Sequence, residues 1–213
     1  MISIEIWSDI LCPFCYIGKH RFQKALTAFP HRDQVQVTWR SFELDPSAAQ
    51  DYGISIHELL ARKYGRTVEW ARENNANLEA QALELGLTLH MDRIIPTNSF
   101  HAHRLLHLGK SLGLADQVYE KLFAAYFTEG RQIGKIESLI AIAEEAGLDR
   151  EQARTVLEST DFTEAVRQDE DEAQLFGLTG VPAFVINRKY LVSGAQPPET
   201  FTQALQKIWD APA

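Results

Sequence analysis

Isoleucines at positions 2, 4 and 6 alternate with Ser3, Glu5 and Trp7, the period-two pattern of a β-strand. Directly behind this strand the period changes. From 13 to about 29 the apolar residues Tyr16, Phe22, Ala25, Leu26 and Phe29 supply one side of a helix, and Pro13 suits a first helical turn, where no backbone N–H is needed. Pro30 and Asp33 mark a turn. Val35, Val37 and Trp39 then give a second strand that continues to Phe42, before Pro46. From about 53 to 165 nearly every signal is helical. Ser55 with Glu58 forms a capping box, and Gly65 stops that helix. Thr67 opens a helix reaching Leu85, and Asn98 caps a third. Residues 114 to about 127 read as a fourth, 136–146 as a fifth, and Asp149 with Gln152 opens a sixth. A last helix in this run covers roughly 161–176. Strands then return at 183–186 and 190–192 around an Asn187-Arg188 turn, and Pro198 starts a helix carrying Phe201, Leu205, Ile208 and Trp209.

The order is strand–helix–strand, a block of helices, then strand–strand–helix. It predicts an α/β fold in which one discontinuous domain, 1–52 with 166–213, is interrupted by an all-helical insertion, 53–165. No internal repeat or low-complexity linker breaks the chain.

Charge narrows the function. The 213 residues carry 21 basic and 29 acidic side chains, a formal net charge of −8. Lys and Arg form no run, which argues against a nucleic-acid partner. No stretch approaches the roughly 18 apolar residues that span a bilayer, which argues against a membrane one. The start, Met1-Ile2-Ser3-Ile4-Glu5-Ile6, lacks a basic n-region, so no secretory signal and a cytoplasmic location are expected.

The chain has two cysteines, Cys12 and Cys15, with Pro13 and Phe14 between them. A Cys-x-x-Cys directly after a strand reads as a redox motif. Cys12 at a helix N-terminus has its thiolate favoured by unpaired N–H groups and the helix dipole. Cys15, one turn along, is close enough to resolve a mixed disulfide formed at Cys12. Inert buried thiols, or half of a zinc site, are the competing readings. Zinc needs two further ligands, and no second cysteine pair exists; a metal site is not expected, at His103 and His107 either.

Five stretches carry a family resemblance: 7–18 around the two cysteines, 42–46, 98–104, 177–184 ending in Val181-Pro182-Ala183-Phe184, and 193–196. In this order they span nearly the whole chain, and together they resemble the DsbA family in its FrnE-like branch. The resemblance implies a thioredoxin-like fold with an inserted helical domain. It implies Cys12 as nucleophile, Cys15 as resolving cysteine and Pro182 as a cis-proline, with the Val181 backbone pairing a substrate chain. Pro13 and Phe14 are then the expected substrate contacts, and Asn98 and His103, the last beside Arg104, are candidates for contact against capping by Asn98 and ordinary packing by the others. Glu5 is a candidate to take a proton from Cys15, against a strand-end glutamate reaching solvent, and Asp9 is expected to cap the loop. The expected activity is a cytosolic thiol–disulfide oxidoreductase acting on protein disulfides or small thiols and disulfides. No cofactor is required, and glutathione is the candidate reductant or cosubstrate. Related kappa-class glutathione transferases and hydroxychromene carboxylate isomerases typically carry serine where this chain has Cys12. A glutathione-dependent transferase or isomerase acting on aromatic substrates is therefore the first alternative, and a non-catalytic peptide-binding module the second. Periplasmic DsbA proteins typically have histidine at the position of Phe14; its absence predicts a less oxidising disulfide.

Overall fold

The computed structural model describes residues 1–211. In chain order the elements are β1 (Ile2–Ser8), α1 (Pro13–Ala28), β2 (Val35–Ser41), α2 (Ile56–Tyr64), α3 (Val68–Leu83), α4 (Phe100–Ser111), α5 (Ala115–Phe123), α6 (Ile136–Glu145), α7 (Arg150–Glu158), α8 (Thr163–Leu175), β3 (Ala183–Ile186), β4 (Tyr190–Ser193) and α9 (Pro198–Trp209).

The four strands make one sheet in the order β2-β1-β3-β4. β1 runs parallel to β2 and antiparallel to β3, and β3 antiparallel to β4. Because successive strand residues point to opposite faces, the alternation in β1 decides what each face holds. Ile6 lies beside Trp39 and Phe184 in register, on the face covered by α1 and α9. There Phe22 of α1 and Phe201 of α9 meet Phe184, with ring centroids 5.4 and 4.6 Å from it. Trp7, Ala183 and Val185 occupy the other face with Ala173 and Leu178, where the Trp7 indole N–H donates to the Asp169 carbonyl at 2.7 Å. The β3–β4 turn places Asn187 and Arg188 at φ of +50° and +54°, a left-handed pair whose twist matches that of the strands it joins.

The chain divides into two compact units, one formed by 1–44 with 168 onward, the other by 45–167. The first boundary falls before the expected 52/53 because the segment after Leu44 is bonded into the helical unit. Thr97 donates to the Gln50 carbonyl at 2.8 Å, and the Asn98 amide to the Ala48 carbonyl at 3.3 Å.

The helical unit follows its capping signals. Ser55 and Glu58 make the reciprocal box, Thr67 accepts from the Trp70 amide, and Asp149 from the Gln152 amide. Two details differ from the sequence expectation. The residue preceding α4 is Ser99, while Asn98 accepts from the Phe100 amide at 2.8 Å. The fourth helix does not run uniformly to 127: α5 gives way to a π-helical turn over Ala124–Thr128. Inside this unit Arg104 is buried. Its guanidinium donates to the carbonyls of Asp161 (2.7 Å), Ser159 (2.6 Å) and Val156, so a full charge is solvated by the turn after α7.

Candidate active site

Cys12 is the residue that caps α1, and its conformation is set by the short link from β1. Its backbone N–H donates to the Asp9 carbonyl at 3.1 Å, and its carbonyl accepts from Cys15 at 3.0 Å. Pro13 follows at the first helical position, as its missing N–H allows. The buried Asp9 carboxylate holds the link from both sides, accepting from the Leu11 amide at 3.1 Å and the Leu44 amide at 2.8 Å. Asp9 is therefore a loop cap that ties the start of α1 to the segment after β2.

Cys12 is 4% exposed and Cys15 1%, and both thiols are free. The Cys12 thiol donates to the Val181 carbonyl at 3.7 Å. The Val181–Pro182 peptide is cis, and Pro182 is buried. The Pro182 carbonyl accepts from Gly194 at 2.8 Å, while Arg21 of α1 donates to the Ala195 carbonyl at 2.6 Å. Stretches far apart in the chain, 12–21, 181–182 and 194–195, thus meet at one point. Gly18 makes the approach possible, because a Cβ there would lie 2.9 Å from the Pro182 ring. Beside the buried thiols Phe14 is 45% exposed, and Leu44, placed by its bond to Asp9, is 44% exposed. An accessible apolar rim therefore flanks a thiol that is itself nearly covered.

The two cysteines differ in environment. Burial pushes the Cys15 thiol well above its ordinary value, and the neighbouring Cys12 adds to the shift; the Ser8 hydroxyl and the Asp9 backbone N–H oppose it. Cys15 is accordingly a protonated thiol at neutral pH, enclosed behind Cys12.

Glu5 is not where its expected role needs it. It stands three residues before Ser8, about 10 Å along the strand and on the opposite sheet face. Its carboxylate accepts from Arg40 at 3.0 Å and from Arg188 at 3.0 Å. Arg40 also donates to Asp169 at 2.7 Å, and Arg188 to Glu172. Glu5 thus belongs to an ion network under α8, and the expected proton transfer from Cys15 is corrected. Sequence reading missed both arginines because strand register and the hairpin turn bring them there. Asn98 and His103 lie in the helical unit. The Asn98 amide is engaged by Ala48 and Phe100, as described above, and His103 is fully enclosed within α4. Asn98 thus serves as a turn cap and bridge within its own unit, and His103 packs inside it.

A family model for the DSBA-like thioredoxin domain matches residues 3–206. The crystal structure of a probable DsbA oxidoreductase, SCO1869 from Streptomyces coelicolor, superposes with a TM-score of 0.96 at 45% identity, covering 100% of this chain and 92% of that one. The uncharacterized protein YwbO of Bacillus subtilis (strain 168) is 27% identical over 206 residues, 96% of each chain. The cytosolic disulfide reductase DsbM from Pseudomonas aeruginosa shares the fold, with a TM-score of 0.67 at 16% identity, over 97% of this chain and 98% of that one. A family match over nearly the whole chain and a superposition that covers all of it agree with the strand order interrupted by helices: the chain belongs to the DsbA-like family of thiol–disulfide oxidoreductases and has its thioredoxin-like fold.

Proposed function

We propose that the protein is a cytoplasmic disulfide oxidoreductase in which Cys12 attacks and Cys15 resolves. The observation that carries this reading is the placement of the Cys12 thiol at the N-terminus of α1, against the Val181 carbonyl beside cis-Pro182, with the second thiol enclosed behind it. The Cys12 thiolate attacks one sulfur of a substrate disulfide. A Cys12–substrate disulfide forms, and the other substrate sulfur leaves with the electron pair and takes up a proton. Cys15, once deprotonated, attacks the Cys12 sulfur; the Cys12–Cys15 disulfide forms and the remaining substrate sulfur leaves as a thiol. The substrate gains two electrons and the cysteine pair loses them. The reverse sequence oxidises a dithiol.

Phe14 and Pro13 form the substrate-facing rim, and the Val181 backbone is positioned to pair an extended substrate chain. Protein disulfides and small disulfides are the substrates, glutathione is the reductant that restores the dithiol, and no bound cofactor takes part.

Insulin reduction tests this reading. Wild type should turn over, and Cys12→Ser should lose activity by at least about a thousandfold. Cys15→Ser should instead accumulate covalent mixed disulfides that reducing agent releases. Glutathione conjugation surviving Cys12→Ser would favour the transferase alternative, and function surviving loss of both cysteines the peptide-binding one.

A further inference from the structure

Resolution requires a buried thiol to become an anion, and among the described residues the nearby carboxylates are engaged elsewhere. Cys15 is 1% exposed, and the titratable group acting on it is Cys12, which at that moment is locked in the mixed disulfide. The Asp9 carboxylate is turned to the Leu11 and Leu44 amides. Glu5 is across the sheet, paired with two arginines. Besides Cys12, the groups that act on the Cys15 sulfur are the Asp9 backbone N–H and the hydroxyl of Ser8, and Lys19, one turn on in α1, is buried as well and carries donors but no acceptor.

Ser8 is the last residue of β1. It shares the parity of Ile4 and Ile6, so its side chain points to the face that α1 covers. It is 0% exposed, and its hydroxyl finds no partner at conventional hydrogen-bond geometry. A buried hydroxyl left in that state is costly, more so than a methyl group in its place. The cost is offset if the hydroxyl has a strong partner in another state of the site. A thiolate is such a partner, because a hydrogen bond to an ionised acceptor is roughly twice as strong as a neutral one.

We propose that Ser8 is a positioning residue for the resolving step, its hydroxyl rotating to donate to the Cys15 sulfur as that sulfur ionises and attacks Cys12. The inference rests on the disulfide-exchange reading above and adds a residue to it. The Cys15 proton leaves to solvent or to the departing substrate thiolate; Ser8 keeps its own proton throughout. In the resting dithiol the same oxygen sits beside a neutral S–H, so Ser8 acts on the second step of the exchange and not on the first.

The chromogenic disulfide dithionitrobenzoate separates the two steps. Reduced enzyme releases one coloured thiolate when Cys12 attacks and a second when Cys15 displaces the mixed disulfide. In Ser8→Ala the first phase should match wild type within about twofold, and the second should slow by about tenfold, with its pH midpoint displaced upward. Ser8→Thr, which keeps the hydroxyl, should restore the second phase. If alanine disturbs folding, judged by circular dichroism, Ser8→Gly removes the same hydroxyl and carries the same expectation. An unchanged second phase in the folded hydroxyl-free variant, or equal slowing in Ser8→Thr, would overturn the role of Ser8. A wild-type protein lacking the first phase would instead overturn the disulfide-exchange reading itself.

Discussion

The two faces of the central sheet are built on opposite electrostatic principles. On the α1 and α9 side, Phe22, Phe184 and Phe201 pack ring against ring over Ile4 and Ile6, and the ionisable groups near its rim are the two thiols, the Asp9 carboxylate, held by the Leu11 and Leu44 amides, and Arg21, held by the Ala195 carbonyl. On the α8 side, Arg40 and Arg188 thread between Glu5, Asp169 and Glu172. Asp169, 2% exposed, takes both the Arg40 guanidinium and the Ser41 amide at 2.9 Å. Charges confined there are neutralised by geometry and separated from the cysteines by a sheet. The thiol face is left as a region where protonation is governed by burial, the helix N-terminus and individual hydrogen bonds, all of which one side chain can tune.

That contrast can be broken at four places. The largest effect should come from Phe184→Ala, which empties the centre of the aromatic cluster and should cost about 3–5 kcal/mol in denaturant unfolding. A loss under about 1 kcal/mol would mean that this face is not the packed core described. Next is Arg40→Met. It strands the buried Asp169 carboxylate, and should cost about 2–3 kcal/mol, reduced from the fully buried case because Arg40 is partly exposed. The rate of Cys12 attack on dithionitrobenzoate should remain within about twofold of wild type. A parallel loss of exchange would show that the faces are coupled.

Phe14→His should make the Cys12–Cys15 disulfide more oxidising, by about 30 mV or more on equilibration with glutathione, equivalent to about 1.4 kcal/mol. A histidine there can donate a hydrogen bond to the thiolate or carry positive charge, and Phe14 does neither. No response would place control of the thiolate elsewhere. The smallest effect concerns pH. Burial raises the Cys15 thiol in the folded protein, so its contribution to stability is complete below the unfolded thiol value of about 8.5. As pH rises past that value the unfolded chain gives up its proton first, and stability falls. Reduced wild type should therefore lose stability above about pH 8.5 more steeply than Cys15→Ala, and equal slopes would contradict the enclosure of this thiol.

Local periodicity made most elements readable. The Ile2-Ile4-Ile6 alternation is β1, and the Ser55–Glu58 box begins α2 one residue after its cap. The cysteine pair was readable as chemistry because it stood alone after a strand. What the sequence did not show depends on contacts between distant positions. Glu5 reads as an isolated acid in an apolar strand until register sets Arg40 beside Trp7 and the turn delivers Arg188. Ser8 looks like an ordinary residue leaving a strand, and only the descent of α1 over it makes its hydroxyl a neighbour of Cys15. Gly18 has no helical signal that explains it; the Pro182 ring does. Asn98 and His103 stand in a family-like stretch, and what the structure shows of them, a bridge to Ala48 and an enclosed place in α4, is packing within their own unit.

The sheet also has a kinetic signature. Ile4 pairs with Ile186 and Trp7 with Ala183, so its central ladder joins strands at nearly opposite ends of the chain. The entropy of closing such a loop grows only logarithmically, about 0.6 kcal/mol per doubling of length, so the intervening helices weigh little on final stability. They weigh more on the order of events. β1 must pair with residues some 180 positions later in the chain, a long-range contact of the kind that slows folding. The same pairing completes the thiol's surroundings, because the Val181 carbonyl that meets Cys12 and the Pro182 ring that meets Gly18 belong to the segment that leads into β3.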